Sequence, residues 1–189
     1  MLSKSELRQS LRKRRKALSR HDQKIAAIRL ARQLKRLPTF RHARYIAAYW
    51  PNDGEISPLP FLAELLRQGK VLYLPRILNN GHLEFHRFHP DIRMNNNTYS
   101  IPEPVGGQCR HAQNLDIVLM PLVGFDRRRN RLGMGGGYYD KTFAFHRKSL
   151  WKNRPRLIGL AHHFQQVDNL HHDNWDIPLN MIVTDKGYI

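Results

Sequence analysis

The residues best suited to chemistry lie in one stretch, GFDRRRNRLGMGGGYYDK, at positions 124–141. Glycines at 133, 135, 136 and 137 let the backbone approach a ligand closely and can aim successive amide N–H groups into one concavity. A helix beginning behind them, at about Tyr138, would add its own N-terminal amides, an arrangement that suits phosphate. Arg131 offers a planar, permanently charged donor, and Asp140 a hard carboxylate oxygen of the kind Mg2+ takes. The spacing fits neither G-x-x-x-x-G-K-[ST] nor G-x-G-x-x-G, so the glycines alone do not separate phosphate binding from a flexible surface loop. A flexible loop, however, gives no reason for two tyrosines and an acid directly behind them.

The elements that must hold this loop are legible as apolar runs. Residues 45–50, 71–74, 117–120, 157–161 and 181–184 read as short buried strands. The alternating run 83–88, after the turn Asn79, Asn80, Gly81, reads as a more exposed strand. Between the first two strands, Ser57 and Pro58 lead into Phe61, Leu62, Leu65 and Leu66, a helix closed by Gly69. Strands alternating with helices predict a three-layer α/β/α fold with a mostly parallel central sheet, as a single domain over 1–189. Such sheets bind ligands outside the carboxyl ends of their strands, where the loop leaving Met120 must lie.

Residues 1–44 carry 15 Lys and Arg against 2 acids, so +13 of the total +17 sits there. Ser3 with Glu6 is a capping box, flanked by Leu2 and Leu7 at staple positions. Leu7, Leu11 and Leu18 then form one stripe, with Arg8, Arg12, Lys13, Arg14, Arg15 and Lys16 around the rest of the helix, mostly as a solvated basic face. A second helix starts near Ser19, carries Ile25, Ile28, Ala31 and Leu34, and stops before Pro38. The first ten residues lack the apolar core of a secretory signal, and no apolar run nears the 18 or more residues of a membrane span, so the expected location is cytoplasmic, with no membrane partner. One cysteine, Cys109, makes neither an internal disulfide nor a cysteine-based metal knuckle. His162 with His163, and His171 with His172, are adjacent pairs that face apart and read as surface or loop residues.

The stretch 124–141, centred on RLGMGGGYYD, resembles the signature of the 5-formyltetrahydrofolate cyclo-ligase family, also called 5,10-methenyltetrahydrofolate synthetases. The likeness runs along the chain through Lys4, Leu7 and Arg8; Asp53, Gly54 and Glu55; Leu74-Pro75-Arg76; Ile101-Pro102-Glu103-Pro104; Met120-Pro121; and Trp175-Asp176-Ile177-Pro178-Leu179. The resemblance implies ATP- and Mg2+-dependent cyclisation of 5-formyltetrahydrofolate to 5,10-methenyltetrahydrofolate, with release of ADP and phosphate. A formyl oxygen leaves poorly until it is phosphorylated, which explains the nucleotide; positioning and charge neutralisation then supply the catalysis.

Carried onto this chain, the resemblance places ATP on Arg131, Leu132, Gly133, Met134, Gly135, Gly136, Gly137, Tyr138 and Tyr139. Lys4 and Arg8, one helical turn apart, reach its phosphates and join Arg131 as the catalytic cations. Mg2+ falls to Asp140 and Asp176. The folate, with or without a polyglutamate tail, falls to Glu55, Trp50, Tyr99, Met134 and Tyr138, Glu55 accepting from pterin N–H groups. Plainer readings stand beside these: helix-dipole stabiliser for Asp140, turn former for Asp176, loop acid for Glu55, core packing for Trp50. Met134 and Asn180 depart from residues common in the family, Asn180 standing where an acid is often found. The expected assembly is a monomer. Two rivals remain: a nucleic-acid binder using the basic helices, which leaves the glycine loop unexplained, and an ATP-dependent ligase acting on another substrate.

Overall fold

The computed structural model describes residues 3–147 and 154–189. The Ser3 hydroxyl accepts the Glu6 N–H while Glu6 accepts the Ser3 N–H, which opens helix α1 (Lys4–Lys16). Leu2, the other half of the expected staple, lies outside the described residues. Ser19 caps α2 (Arg20–Lys35) with its hydroxyl alone, which accepts the Asp22 N–H, ahead of the one-turn α3 (Thr39–His42). Helix α4 (Leu59–Arg67) follows Pro58, and α5 (Tyr138–Thr142) follows Gly137.

Seven strands form the central sheet: β1 (Tyr45–Ala47), β2 (Val71–Ile77), β3 (Leu83–Phe88), β6 (Cys109–Arg110), β7 (Ile117–Pro121), β10 (Arg156–Ala161) and β11 (Met181–Thr184). Two hairpins lie outside it, β4 (Met94–Asn96) with β5 (Pro102–Pro104), and β8 (Gly124–Phe125) with β9 (Arg131–Leu132). The sheet order is β11-β10-β7-β1-β2-β3-β6. Five strands from β11 to β2 run parallel, and β3 and β6 add an antiparallel edge. Parallel strands covered on both faces must be apolar throughout, which is why β7 buries Ile117, Val118, Leu119 and Met120 in succession. Helices α2 and α4 cover one face with Leu30, Leu34, Phe61 and Leu65. The other face is covered by Phe143, Ile177 and Leu179, from the end cap of α5 and the segment ahead of β11.

The expected mixed α/β architecture is thus present, with local differences. Strand β1 ends at Ala47, and residues 48–50 lead on toward the site rather than extending the strand. Strand β3 is less exposed than its alternation suggests, because β6 pairs outside it and shelters Phe85 and His86. Helix α1 is not a solvated face with one apolar stripe. Its Leu11 packs over Gly124, and Arg15, one turn on, is buried with a side chain 1% exposed. Laid across the carboxyl edge of the sheet, α1 brings its basic residues onto the strand ends.

Candidate active site

Beyond the carboxyl ends of β1, β2 and β7 lies a cavity of about 1130 Å³, roofed by α1 and floored by Pro121 and Leu122. Every residue singled out in the sequence as a nucleotide, folate or metal ligand lines it: Lys4, Arg8, Trp50, Glu55, Tyr99, Asp140, Asp176 and the whole run 131–139. These residues are drawn from segments as far apart as the first and last fifths of the chain.

The glycine loop forms one wall. Gly135 and Gly137 adopt left-handed φ values of 105° and 68°, conformations a side chain would strain. At Gly136 a Cβ would sit 2.6 Å from the Tyr138 ring, so the loop closes this tightly only with glycine there. Arg8 Nε donates to the Gly133 carbonyl at 2.8 Å, which ties α1 to the loop. Behind it, the Arg131 guanidinium is buried and donates to Asp140 Oδ1 at 2.6 Å, an oxygen that also accepts the Ile177 N–H at 3.2 Å. Arg131 Nε is buried with no hydrogen-bond partner among the described residues. A buried charged donor with an idle N–H beside a cavity is suited to an anion entering that cavity.

At the same end, Lys4 Nζ lies 2.5 Å from Asp173 Oδ2 and 3.6 Å from Asp176 Oδ2. Asp176 Oδ2 also accepts the Asp173 N–H at 2.9 Å, so the loop holds both acids toward the cavity. Asp140, Asp173 and Asp176, with no thiol or imidazole among the described residues of the cavity wall, offer the all-oxygen donors that Mg2+ prefers. Asp173 was not anticipated, although its place three residues before Asp176 in one loop was a usable signal.

Glu55 stands on the opposite side, in the turn after β1. Asp53 and Gly54, at φ 52° and 73°, reverse the chain, and Glu55 Oε2 accepts the Asn52 N–H at 3.1 Å. Burial pushes the Glu55 carboxyl up to about 7, against the opposing pull of the Asn52 N–H and the Arg15 charge. Its neighbours Tyr49 and Tyr139 have their phenols raised by burial first and by the Glu55 charge second.

The turn itself is fixed from α1. Arg15 donates to the Asp53 carbonyl at 2.7 Å, to Asp53 Oδ2 at 2.6 Å and to the Leu122 carbonyl at 3.3 Å; Arg12 and Lys16 also pair with Asp53, at 2.8 and 2.7 Å. Burial alone would raise the Asp53 carboxyl, but the bonds from Arg12, Lys16 and Arg15 overcome it and hold it well below the usual carboxylate range. Five of α1's cations are therefore paired with groups of the same chain, at Asp173, Gly133 or Asp53.

Aromatic rings finish the walls. Tyr99, 55% exposed, stands edge-on to Tyr138, their hydroxyls 2.7 Å apart. Trp50 is half-buried and edge-on to Phe88, so it packs and lines the cavity at once. Of the two departures, Met134 is exposed at the cavity, whereas Asn180 is not part of its lining: its Oδ1 accepts the Leu157 N–H and its N–H donates to the Leu157 carbonyl. Asn180 is thus a sheet-edge tie and takes no metal-side position. His162 corrects the surface reading of the histidine pairs, since it is buried and stacked on Phe164, with Nε2 3.3 Å from the Gly54 carbonyl.

A mostly parallel sheet with an anion-suited glycine loop, cations from α1 and an acidic corner at its carboxyl edge defines an α/β protein with its candidate ligand cavity at the strand ends. The profile of the 5-formyltetrahydrofolate cyclo-ligase family matches residues 1–185, and the chain belongs to that family of ligases. It is 37% identical over 185 residues to the 5-formyltetrahydrofolate cyclo-ligase of Haemophilus influenzae, covering 93% of this chain and 94% of that one. The Escherichia coli K12 protein of the same name is 35% identical over 178 residues, covering 92% and 96%. Among solved structures, the Aquifex aeolicus 5,10-methenyltetrahydrofolate synthetase superposes with a TM-score of 0.84 at 31% identity, over 99% of this chain and 92% of that one. The Mycoplasma pneumoniae 5,10-methenyltetrahydrofolate synthetase gives 0.78 at 26% identity, over 97% and 99%.

Proposed function

We propose that this chain converts 5-formyltetrahydrofolate to 5,10-methenyltetrahydrofolate with ATP and Mg2+, releasing ADP and phosphate. The observation that carries the reading is the single cavity onto which the glycine loop, Lys4, Arg8, Glu55, Asp140 and Asp176 all open. Bound ATP supplies the phosphoryl group that turns the formyl oxygen into a leaving group, and Mg2+ offsets charge on its phosphates.

The chain's part is to bind, orient and neutralise. Gly133, Gly135, Gly136 and Gly137 give the phosphates a wall without side chains, flanked by Leu132, Met134, Tyr138 and Tyr139. Arg131 turns its idle Nε–H to the nucleotide while Asp140 fixes its plane, and Lys4 and Arg8 bring two further charges from α1. Asp140 and Asp176, with Asp173 beside them, hold Mg2+ by oxygen alone. Across the cavity Glu55 accepts N–H bonds from the pterin, and Trp50, Tyr99, Met134 and Tyr138 bracket the flat ring. Holding both ligands in one cavity would bring the formyl oxygen within reach of the nucleotide. Action as a monomer, in a cytoplasmic setting that supplies reduced folate, belongs to the same proposal.

The test is spectroscopic. Purified protein mixed with 5-formyltetrahydrofolate, Mg2+ and ATP should develop the near-ultraviolet absorbance of the methenyl product, dependent on both additions. No product would reject the reading. Asp140→Asn should lose turnover while keeping the native circular dichroism, and a wild-type rate in that variant removes Asp140 from the chemistry.

A further inference from the structure

Outside the cavity, the antiparallel edge of the sheet gathers three unlike ligand side chains. Glu84 and His86 are two residues apart on β3, so both point to one face, and Cys109 on β6 sits directly opposite His86 in register. The carboxylate, imidazole and thiol ligand atoms all lie within 4.8 Å of one another.

The hydrogen bonds of His86 fix what this cluster needs. Its side chain is 4% exposed, and its Nδ1 lies 2.8 Å from the Gly106 carbonyl. A carbonyl only accepts, so Nδ1 carries a proton and Nε2 turns its remaining position to Glu84 Oε2 at 2.6 Å. A lone pair and a carboxylate oxygen at that distance repel each other unless a cation lies between them. The Cys109 sulfur is 3.4 Å from the same nitrogen. A backbone carbonyl holding one ring nitrogen while the other faces a carboxylate and a thiol is the support that ligating histidines receive.

We propose that Glu84, His86 and Cys109 form a site for a thiophilic divalent cation of the Zn2+ class, with water in the fourth position. The ion takes the place of the proton between Nε2 and Oε2, and Cys109 ligates as thiolate, its proton passing to solvent. Sγ is nearly equidistant from the two ring nitrogens, so the exposed Cys109 side chain must turn about its Cα–Cβ bond to complete the site. Mixed sulfur, nitrogen and oxygen donors suit Zn2+ and not Mg2+, which separates this site from the acidic corner of the cavity. Burial and the Glu84 charge raise the Cys109 thiol, and Arg76, opposite Glu84 on β2, only partly offsets them, so it is the ion itself that must draw the proton off. The excursion between β3 and β6 carries Tyr99 and Glu103 into the cavity, so the ion would clip the base of that wall.

The test uses the full chain, stripped with a chelator and titrated with Zn2+, and separately with Co2+ as a spectroscopic probe. Expected are one Zn2+ bound at least ~10-fold more tightly than by Cys109→Ser, and a thiolate-to-cobalt charge-transfer band that Cys109→Ser lacks. Glu84→Gln, at a half-exposed position, should weaken binding comparably while keeping the fold, and Asp140→Asn should leave binding unchanged. Equal Zn2+ affinity in the wild type and Cys109→Ser, or a cobalt spectrum with no thiolate band, overturns the site and leaves a proton as the shared cation.

Discussion

Replacing Asp53 by Asn tests whether the contact between α1 and the turn after β1 holds the site together. The substitution is narrow: Asn tolerates the positive φ of 52° as readily as Asp and keeps an oxygen acceptor, so chiefly the charge is removed. What remains is Arg15, 1% exposed, with two carbonyls and a neutral amide in place of a carboxylate. Breaking a fully buried pair costs about 3–5 kcal/mol. Here Asp53 is also met by Arg12 and Lys16, whose side chains are 40% and 57% exposed and regain water, so about 2–4 kcal/mol is expected. For a chain of this size that lowers Tm by roughly 4–16 °C. The pH dependence adds a second check. The native Asp53 carboxyl is depressed, so its contribution is complete above the unfolded value of about 3.9 and fades as pH falls through the native value. Thermal unfolding of wild type and Asp53→Asn between pH 7 and pH 3 should show a constant gap above about pH 4 that narrows below it. A gap under about 0.5 kcal/mol at pH 7, or one that stays constant on acidification, refutes the reasoning.

Glu55 is expected to give the folate-dependent rate a rise centred near pH 7, since the ionised acceptor accumulates above its raised value; Glu55→Gln should be slow and lack that rise in kcat/KM for folate. Gly136→Ala forces the Tyr138 ring aside and breaks its contact with Tyr99, so the folate KM should rise while stability, with the ring free to swing, changes by less than about 0.5 kcal/mol in urea unfolding. Lys4→Ala removes a charge-assisted contact of about 1.5–3 kcal/mol, so kcat/KM for ATP should fall roughly 10- to 100-fold in steady-state assays, with the folate KM little changed.

The sheet was legible because its parallel strands are buried on both faces: β1, β2, β7, β10 and β11 all carry short continuous apolar runs. The hairpins were not. β4 reads MNN and β5 reads PEP, held by backbone pairing and by Glu103, which accepts from Asn97 and from the Ile77 N–H; neither strand has an apolar face to betray it. Strand β6 has only two residues, and the Glu84, His86 and Cys109 cluster depends on it, so a cysteine count alone could not see that cluster.

The buried cation of α1 shows the same limit from the other side. Leu7, Leu11 and Leu18 leave a vacancy on their own stripe one turn after Leu11, and Arg15 fills it. A charge falling on the apolar stripe was a readable anomaly, and it demanded a buried partner. The partner, Asp53, lies 38 residues away in a turn whose left-handed backbone has no periodicity of its own. Local sequence rules can therefore flag that Arg15 needs an acid and that 52–55 is a turn, but only the packing of α1 across the carboxyl edge joins them. That junction seats Lys4 and Arg8 above the glycine loop and Glu55 across from it, so the cavity-facing residues depend on a contact whose buried cation, Arg15, is not itself part of the lining.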